Sequence, residues 1–144
     1  MTDVHLVVGI AVVASNLLAG VWGGISWLRR HPSVSFWYML RAAQAAVVLQ
    51  VLLGALLLFQ DRESADGLHY VYGLLPLLVT LLAEGARAGA ARQELGEREI
   101  ESMDRESQRQ VALAIVRREM GIMTVSALVI FGLALRAAGT SAAF

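Results

Sequence analysis

The chain has 144 residues, 57% of them hydrophobic, with a mean hydropathy of +0.60 and a formal net charge of zero. It contains no cysteine, which excludes disulfides, thiolate metal sites, iron–sulfur clusters and disulfide redox chemistry together. All twelve basic residues are arginine, and the apolar residues fall in long blocks, the pattern of membrane spans and not of a soluble core.

Four apolar blocks follow one another, predicting spans at about 4–28, 35–60, 68–84 and 119–137. The first lacks a basic leader, with Asp3 in its place, and is longer than a signal-peptide core, so it is expected to remain as a span. The segment RRHPS, from Arg29 to Ser33, reads as a tight turn with Pro32 close to the start of the second helix. A short polar connection, DRESADG, runs from Asp61 to Gly67. Pro76 is expected to kink the third helix, because it removes a backbone donor.

The stretch at about 85–118 is dense in charge and rich in Ala, Arg, Glu and Gln, all helix formers. It predicts two helical arms that leave the membrane and turn between Gly96 and Ser107. Glu94 with Arg98, and Glu101 with Arg105, have the i,i+4 spacing of ion pairs along a helix face. The arms read either as a solvated hairpin or as a docking surface for a membrane redox or assembly partner.

Basic residues mark the cytoplasmic flanks of membrane spans. Arg29, Arg30 and Arg41 follow the first span, and Arg87, Arg92, Arg98, Arg105, Arg109, Arg117 and Arg118 follow the third, leaving only Arg62 and Arg136 for the other side. The expected fold is therefore an all-α, integral membrane four-helix up-down bundle with both termini outside and arms extending into the cytoplasm. The expected location is the plasma membrane of a bacterium, with the lipid bilayer as the first partner. Trp22, Trp27, Trp37 and Tyr38 would form an aromatic belt at the cytoplasmic interface.

A near-repeat links the first and third helices. His5 to Gly9 reads HLVVG and His69 to Gly73 reads HYVYG, and twelve residues after each His comes Leu-Leu-Ala. Small-xxx-small pairs follow, Gly20/Gly24 and Gly85/Gly89. Parallel helices, diagonal in an up-down bundle, would bring both imidazoles to one level near the outer surface. Ionisable groups inside a membrane are functional candidates by default. Two axial imidazoles and a slot are what a b-type haem asks of its protein. Zinc would need more ligands, and Asp3 and Asp66 are a thin supplement. Copper(I) would favour methionine, but Met39, Met103, Met120 and Met123 fall toward the opposite side.

The candidate haem b site therefore comprises His5 and His69 as metal ligands. Gly9 and Gly73 stand one turn away, letting a flat macrocycle approach the backbone. Arg62 and Arg136 read either as propionate partners or as ordinary flanking charges, and Tyr72, like Tyr70, as a pocket wall or an interfacial aromatic.

The run Gln50-Val51-Leu52-Leu53-Gly54, a short outer loop, and then His69-x-x-x-Gly73 resembles the QxxLGA…H pattern of haem A synthases. The likeness covers the second and third helices. It implies a haem-holding four-helix half-unit, with His69 matching the family histidine and Gln50 and Gly54 its packing motif. The chain is the length of one such bundle where that family has two, and it lacks the family's Cys pair and EWxHR-like run, so synthase activity is not implied.

His31 lies on the cytoplasmic turn, across the membrane from the other two histidines, and reads as a loop residue. Asn16 and Gln44 are expected to make interhelical hydrogen bonds. Gly20/Gly24 serves contacts inside the bundle or between subunits of a homo-oligomer. No phosphate loop, Ser–His–acid set or nucleic-acid motif is present, so nothing points to nucleotide binding, nucleophilic catalysis or nucleic-acid contact, and whether the chain is an enzyme stays open. Bis-His haem binding for electron transfer or haem handling stands first. A cofactor-free accessory or assembly subunit stands second.

Overall fold

The computed structural model describes residues 2–60, 67–96 and 99–140. Among these the chain is all-helical: α1 (Thr2–Leu28), α2 (Val34–Leu58), α3 (Leu68–Leu95), a 3-10 turn (Ile100–Ser102) and α4 (Arg105–Thr140). All four α-helices are long and apolar enough to cross a membrane. Their large apolar side chains point outward as well as inward; Val7, Ile10, Leu18, Leu52, Leu81 and Leu82 are all more than half exposed. A helix apolar all round suits a lipid surround and not water.

The helix ends follow local chemistry. At the end of α1 the His31 N–H donates to the Ser26 carbonyl and the Arg30 N–H to the Trp27 carbonyl, the paired bonds of a Schellman stop. The motif requires a left-handed residue, and Arg30 supplies it with φ at 57°. Glycine usually fills this place; an L side chain costs roughly 1–2 kcal/mol there. Ser33 then caps α2, its hydroxyl accepting from the Phe36 N–H at 3.2 Å and from Trp22 Nε1 at 3.0 Å, which ties the turn to both helices.

α3 passes through Pro76 without a break and stops at Gly96, whose φ of 57° glycine adopts freely. Asp104 begins α4. Its carbonyl accepts from the Gln108 N–H at 3.0 Å, and hydrogen bonds from the Ser107 hydroxyl and from backbone N–H groups, including that of Glu106, hold its carboxylate below the usual range. The turn between the arms thus falls inside the expected segment. Glu101 sits in the 3-10 turn and Arg105 opens α4, so the break at Asp104 denies them a common helix face. The observed pairing runs across the arms: Arg118 reaches Glu94 at 3.0 Å and also bonds Gln93. Arg98, the other expected partner of Glu94, lies outside the described residues.

α1 packs against α2 and α4, α4 packs also against α3, and α2 and α3 share the thinnest contact of the neighbouring pairs. The interior is layered. One layer gathers Ala19, Phe36, Leu40, Ala83, Met120, Met123 and Ala127; the next holds Val12, Val47 and Ile130, with Leu77 and Ala134 against them. Gly20 and Gly23 allow the closest approaches: a Cβ on Gly20 would meet Leu128 Cδ2 at 2.5 Å, and one on Gly23 would meet Phe36 Cε2 at 2.5 Å. The Gly20 part of the small-residue pair therefore serves contacts within the bundle. Gly85 faces open space. Asn16, expected to bridge helices, instead donates to the Val12 carbonyl of its own helix at 2.9 Å.

The first layer is closed by a polar clasp. Glu84 of α3 accepts from Arg41 at 2.6 Å and Gln44 at 2.8 Å, both on α2, and pairs with Arg87 at 2.8 Å. Arg87 also lies 3.8 Å from Glu119 of α4 and 5.8 Å from the Trp37 ring centroid.

Gly23→Leu should lower stability by about 1–3 kcal/mol through overpacking. Gly85→Ala should leave it unchanged or slightly raised, because alanine is the better helix former and nothing opposes its Cβ. Thermal unfolding in mild detergent, followed by circular dichroism, checks the pair.

Candidate functional site

The core positions step by seven residues on every helix. Ala19 and Val12 lead to His5 on α1; Leu40 and Val47 lead to Gly54 on α2; Ala83 and Pro76 lead to His69 on α3; Met123 and Ile130 lead to Ala137 on α4. A seven-residue step keeps a position on the same seam of a bundle. The third layer therefore has the same place in each helix as the two apolar layers, but its contents are two imidazoles, the Gln50 carboxamide and small residues.

The repeat in α1 and α3 does converge: the His5 and His69 rings stand 6.2 Å apart between centroids, at an interplanar angle of 62°. Each ring is anchored at one nitrogen. His5 Nε2 lies 3.2 Å from Gln50 Nε2, and His69 Nδ1 lies 3.1 Å from the Ala137 carbonyl oxygen. A carbonyl only accepts, so His69 carries its proton on Nδ1 and leaves the Nε2 lone pair free of it. On the other ring, His5 Nδ1 is buried with no protein partner among the described residues, as is Gln50 Oε1.

The glycines of this layer do unlike work. A Cβ on Gly9 would stand 3.0 Å from Gln50 Nε2, and one on Gly54 would stand 3.4 Å from His5 Cε1. Gly9 and Gly54 thus seat Gln50 and His5 between α1 and α2. Gly9 is not an open slot for a macrocycle, because the carboxamide of Gln50 fills its face. Gly73 is open, with nothing within 4 Å of an added Cβ. It lies on α3, the helix that meets α2 only thinly.

Tyr72, one turn from His69, stacks with the Arg136 guanidinium 5.8 Å from its ring centroid. Arg136 immediately precedes Ala137, whose carbonyl holds His69. Tyr70 packs edge-on to His69 at 6.2 Å. Arg62 and Asp66 lie outside the described residues. His31 joins none of this. It lies beyond the far end of α1, about 39 Å along the axis from His5 at 1.5 Å per residue.

Among the described residues no three His, Asp or Glu side chains gather as they would around a free metal ion. The site is a pair.

Sequence reading found the two histidines through the repeat and Gln50 through the QxxLGA resemblance. It did not find that Gln50 holds His5; the seven-residue step from buried Ala43 to Gln50 carried that signal. The Ala137 carbonyl has no side-chain signature at all. No family model, curated protein or solved structure matches the chain.

The nitrogen-15 shifts of the imidazoles in the purified protein, as isolated without added cofactor, should show His69 as the Nδ1–H tautomer. His31, with no such partner, should show no bias toward that form.

Proposed function

We propose that the protein crosses the bilayer four times as an up-down bundle, with both termini outside, and holds a b-type haem between His5 and His69 near the outer face. The single observation that carries this reading is the imidazole pair, 6.2 Å apart in an otherwise heptad-spaced apolar interior. The outward-facing apolar side chains support the membrane setting. The arginine distribution supports the orientation, since the ends rich in Arg belong to the cytoplasm.

The residues present fit such a group. His5 offers Nδ1, a buried nitrogen with no other partner. With the Gln50 carboxamide turned by half a rotation, Oε1 accepts a proton from His5 Nε2 and the Nδ1 lone pair is released for a metal. His69 offers Nε2, with its tautomer and ring orientation set by the Ala137 carbonyl. Fixing one nitrogen to present the other is the ordinary role of groups behind a metal-bound histidine. Gly73 and the thin α2–α3 seam give a flat ring its room. Arg136, held over Tyr72, presents N–H donors suited to a propionate carboxylate.

A haem bound through two imidazoles supplies one-electron redox chemistry. The chain would contribute orientation and the two ligands. Electron transfer or haem handling follows from that set. The cytoplasmic arms, clasped by Arg118 on Glu94, would present the surface for a redox or assembly partner. They are equally the feature on which a cofactor-free accessory subunit would rely.

Titration of the purified protein with haem should give a reduced-minus-oxidised spectrum with sharp α and β bands. His69→Ala should abolish those bands and His31→Ala should leave them alone. Gln50→Ala should weaken haem affinity by roughly 10–100-fold, the usual cost of removing a group behind a metal ligand. A wild-type protein that stays colourless overturns the haem reading and leaves the accessory-subunit reading in place.

A further inference from the structure

The opposite end of the bundle carries a second site, built on different residues. Where α1 stops, a cleft of about 260 Å³ opens between the α1–α2 turn and α4. Arg30, His31 and Arg117 stand around it, and Trp27, Leu113 and Met120 give it an apolar wall. A second cleft of about 280 Å³ adjoins it, shares His31 and Pro32, and adds Arg29 and Trp22.

Two features set these arginines apart. Arg41, Arg87 and Arg118 are committed to Glu84, Glu119 and Glu94. Among the described residues, neither Arg30 nor Arg117 has a carboxylate partner. Moreover, Arg30 occupies the left-handed stop of α1, where glycine would close the helix without strain. The helix stop does not need a side chain, and the one it has is a guanidinium on the cleft. An observed backbone outlier of this kind points to a role for the side chain it carries.

We infer that this cleft binds the phosphate of an anionic phospholipid headgroup, taken between Arg30 and Arg117, with the acyl chains lying along the apolar wall. Guanidinium groups match phosphate oxygens in geometry as well as charge. Trp22 and Trp27 mark the depth at which headgroups lie. Basic pockets between helices on the cytoplasmic side are suited to such lipids. The inference rests on the four-span membrane reading above but not on the haem.

The test uses the full chain in phosphatidylcholine vesicles doped with equal mole fractions of brominated phosphatidylglycerol or brominated phosphatidylcholine. Quenching of tryptophan fluorescence reads how often each lipid sits beside Trp27 and Trp22. The expected result is stronger quenching by the anionic lipid. Its preference should be lost in Arg30→Gln and in Arg117→Gln, because the phosphate is taken between the two. Arg92→Gln with Arg105→Gln, exposed on the arms, should keep it. Arg30→Gly gives a sharper check: it should unfold at the same or a higher temperature than the parent and still lose the preference.

Equal quenching by both lipids, or a preference that survives Arg30→Gly, overturns the site while leaving the membrane reading intact. Quenching by neither lipid overturns the membrane reading and the site together. Abolition of the preference by millimolar inorganic phosphate assigns the cleft to free phosphate and overturns the lipid.

Discussion

A buried polar atom with no partner costs about 1–3 kcal/mol, and the third layer of this bundle holds two of them, His5 Nδ1 and Gln50 Oε1. The other two layers are mainly apolar, and the one polar atom there that is buried without a partner among the described residues is Thr124 Oγ1. Leucine or valine at positions 5, 50 and 69 would continue them at no such cost. The chain instead places two imidazoles and a carboxamide on the seam and sets glycines at 9 and 54 to seat them. The rest of the bundle can be understood as the scaffold that keeps this layer in register, and the proposed ligand between the imidazoles would remove the cost at His5.

At the far end, Glu84 draws α2, α3 and α4 together through Arg41, Gln44 and Arg87. Close approaches at Gly20 and Gly23 lock α1 to α4 and α2. Toward the imidazoles the helices are joined in pairs, α1 to α2 through His5 and Gln50 and α3 to α4 through His69 and the Ala137 carbonyl, while α2 and α3 share little contact over their length. The clasp also keeps two arginines occupied, Arg41 and Arg87, while those at the α1 stop and on α4 face the cleft around His31.

Much of this was legible from the residues. The four helices follow from block length and hydropathy, the connections from the RRHPS turn and the turn placed between Gly96 and Ser107, and the imidazole pair from HLVVG and HYVYG. What escaped has physical reasons. Gly9 reads as an opening, but a glycine leaves space for whatever neighbour is nearest, and that neighbour is Gln50 from another helix. Asn16 reads as an interhelical bond, yet its amide reaches the carbonyl one turn back on its own helix, a partner that every helical asparagine has at hand. Glu101 and Arg105 have the right spacing but lie on either side of a helix start, which spacing alone does not reveal. The Ala137 carbonyl is backbone, and only the three-dimensional register brings it to His69.

The proposed haem site requires both imidazoles to bind the same metal. Electron paramagnetic resonance of the oxidised, haem-loaded protein tests it most directly, since ligand number sets the spin state of the iron. Six-coordinate low-spin ferric iron is predicted, giving way to a high-spin signal in either His5→Ala or His69→Ala. A high-spin signal in the parent protein, or a low-spin signal that persists when one of these histidines is removed, would contradict it.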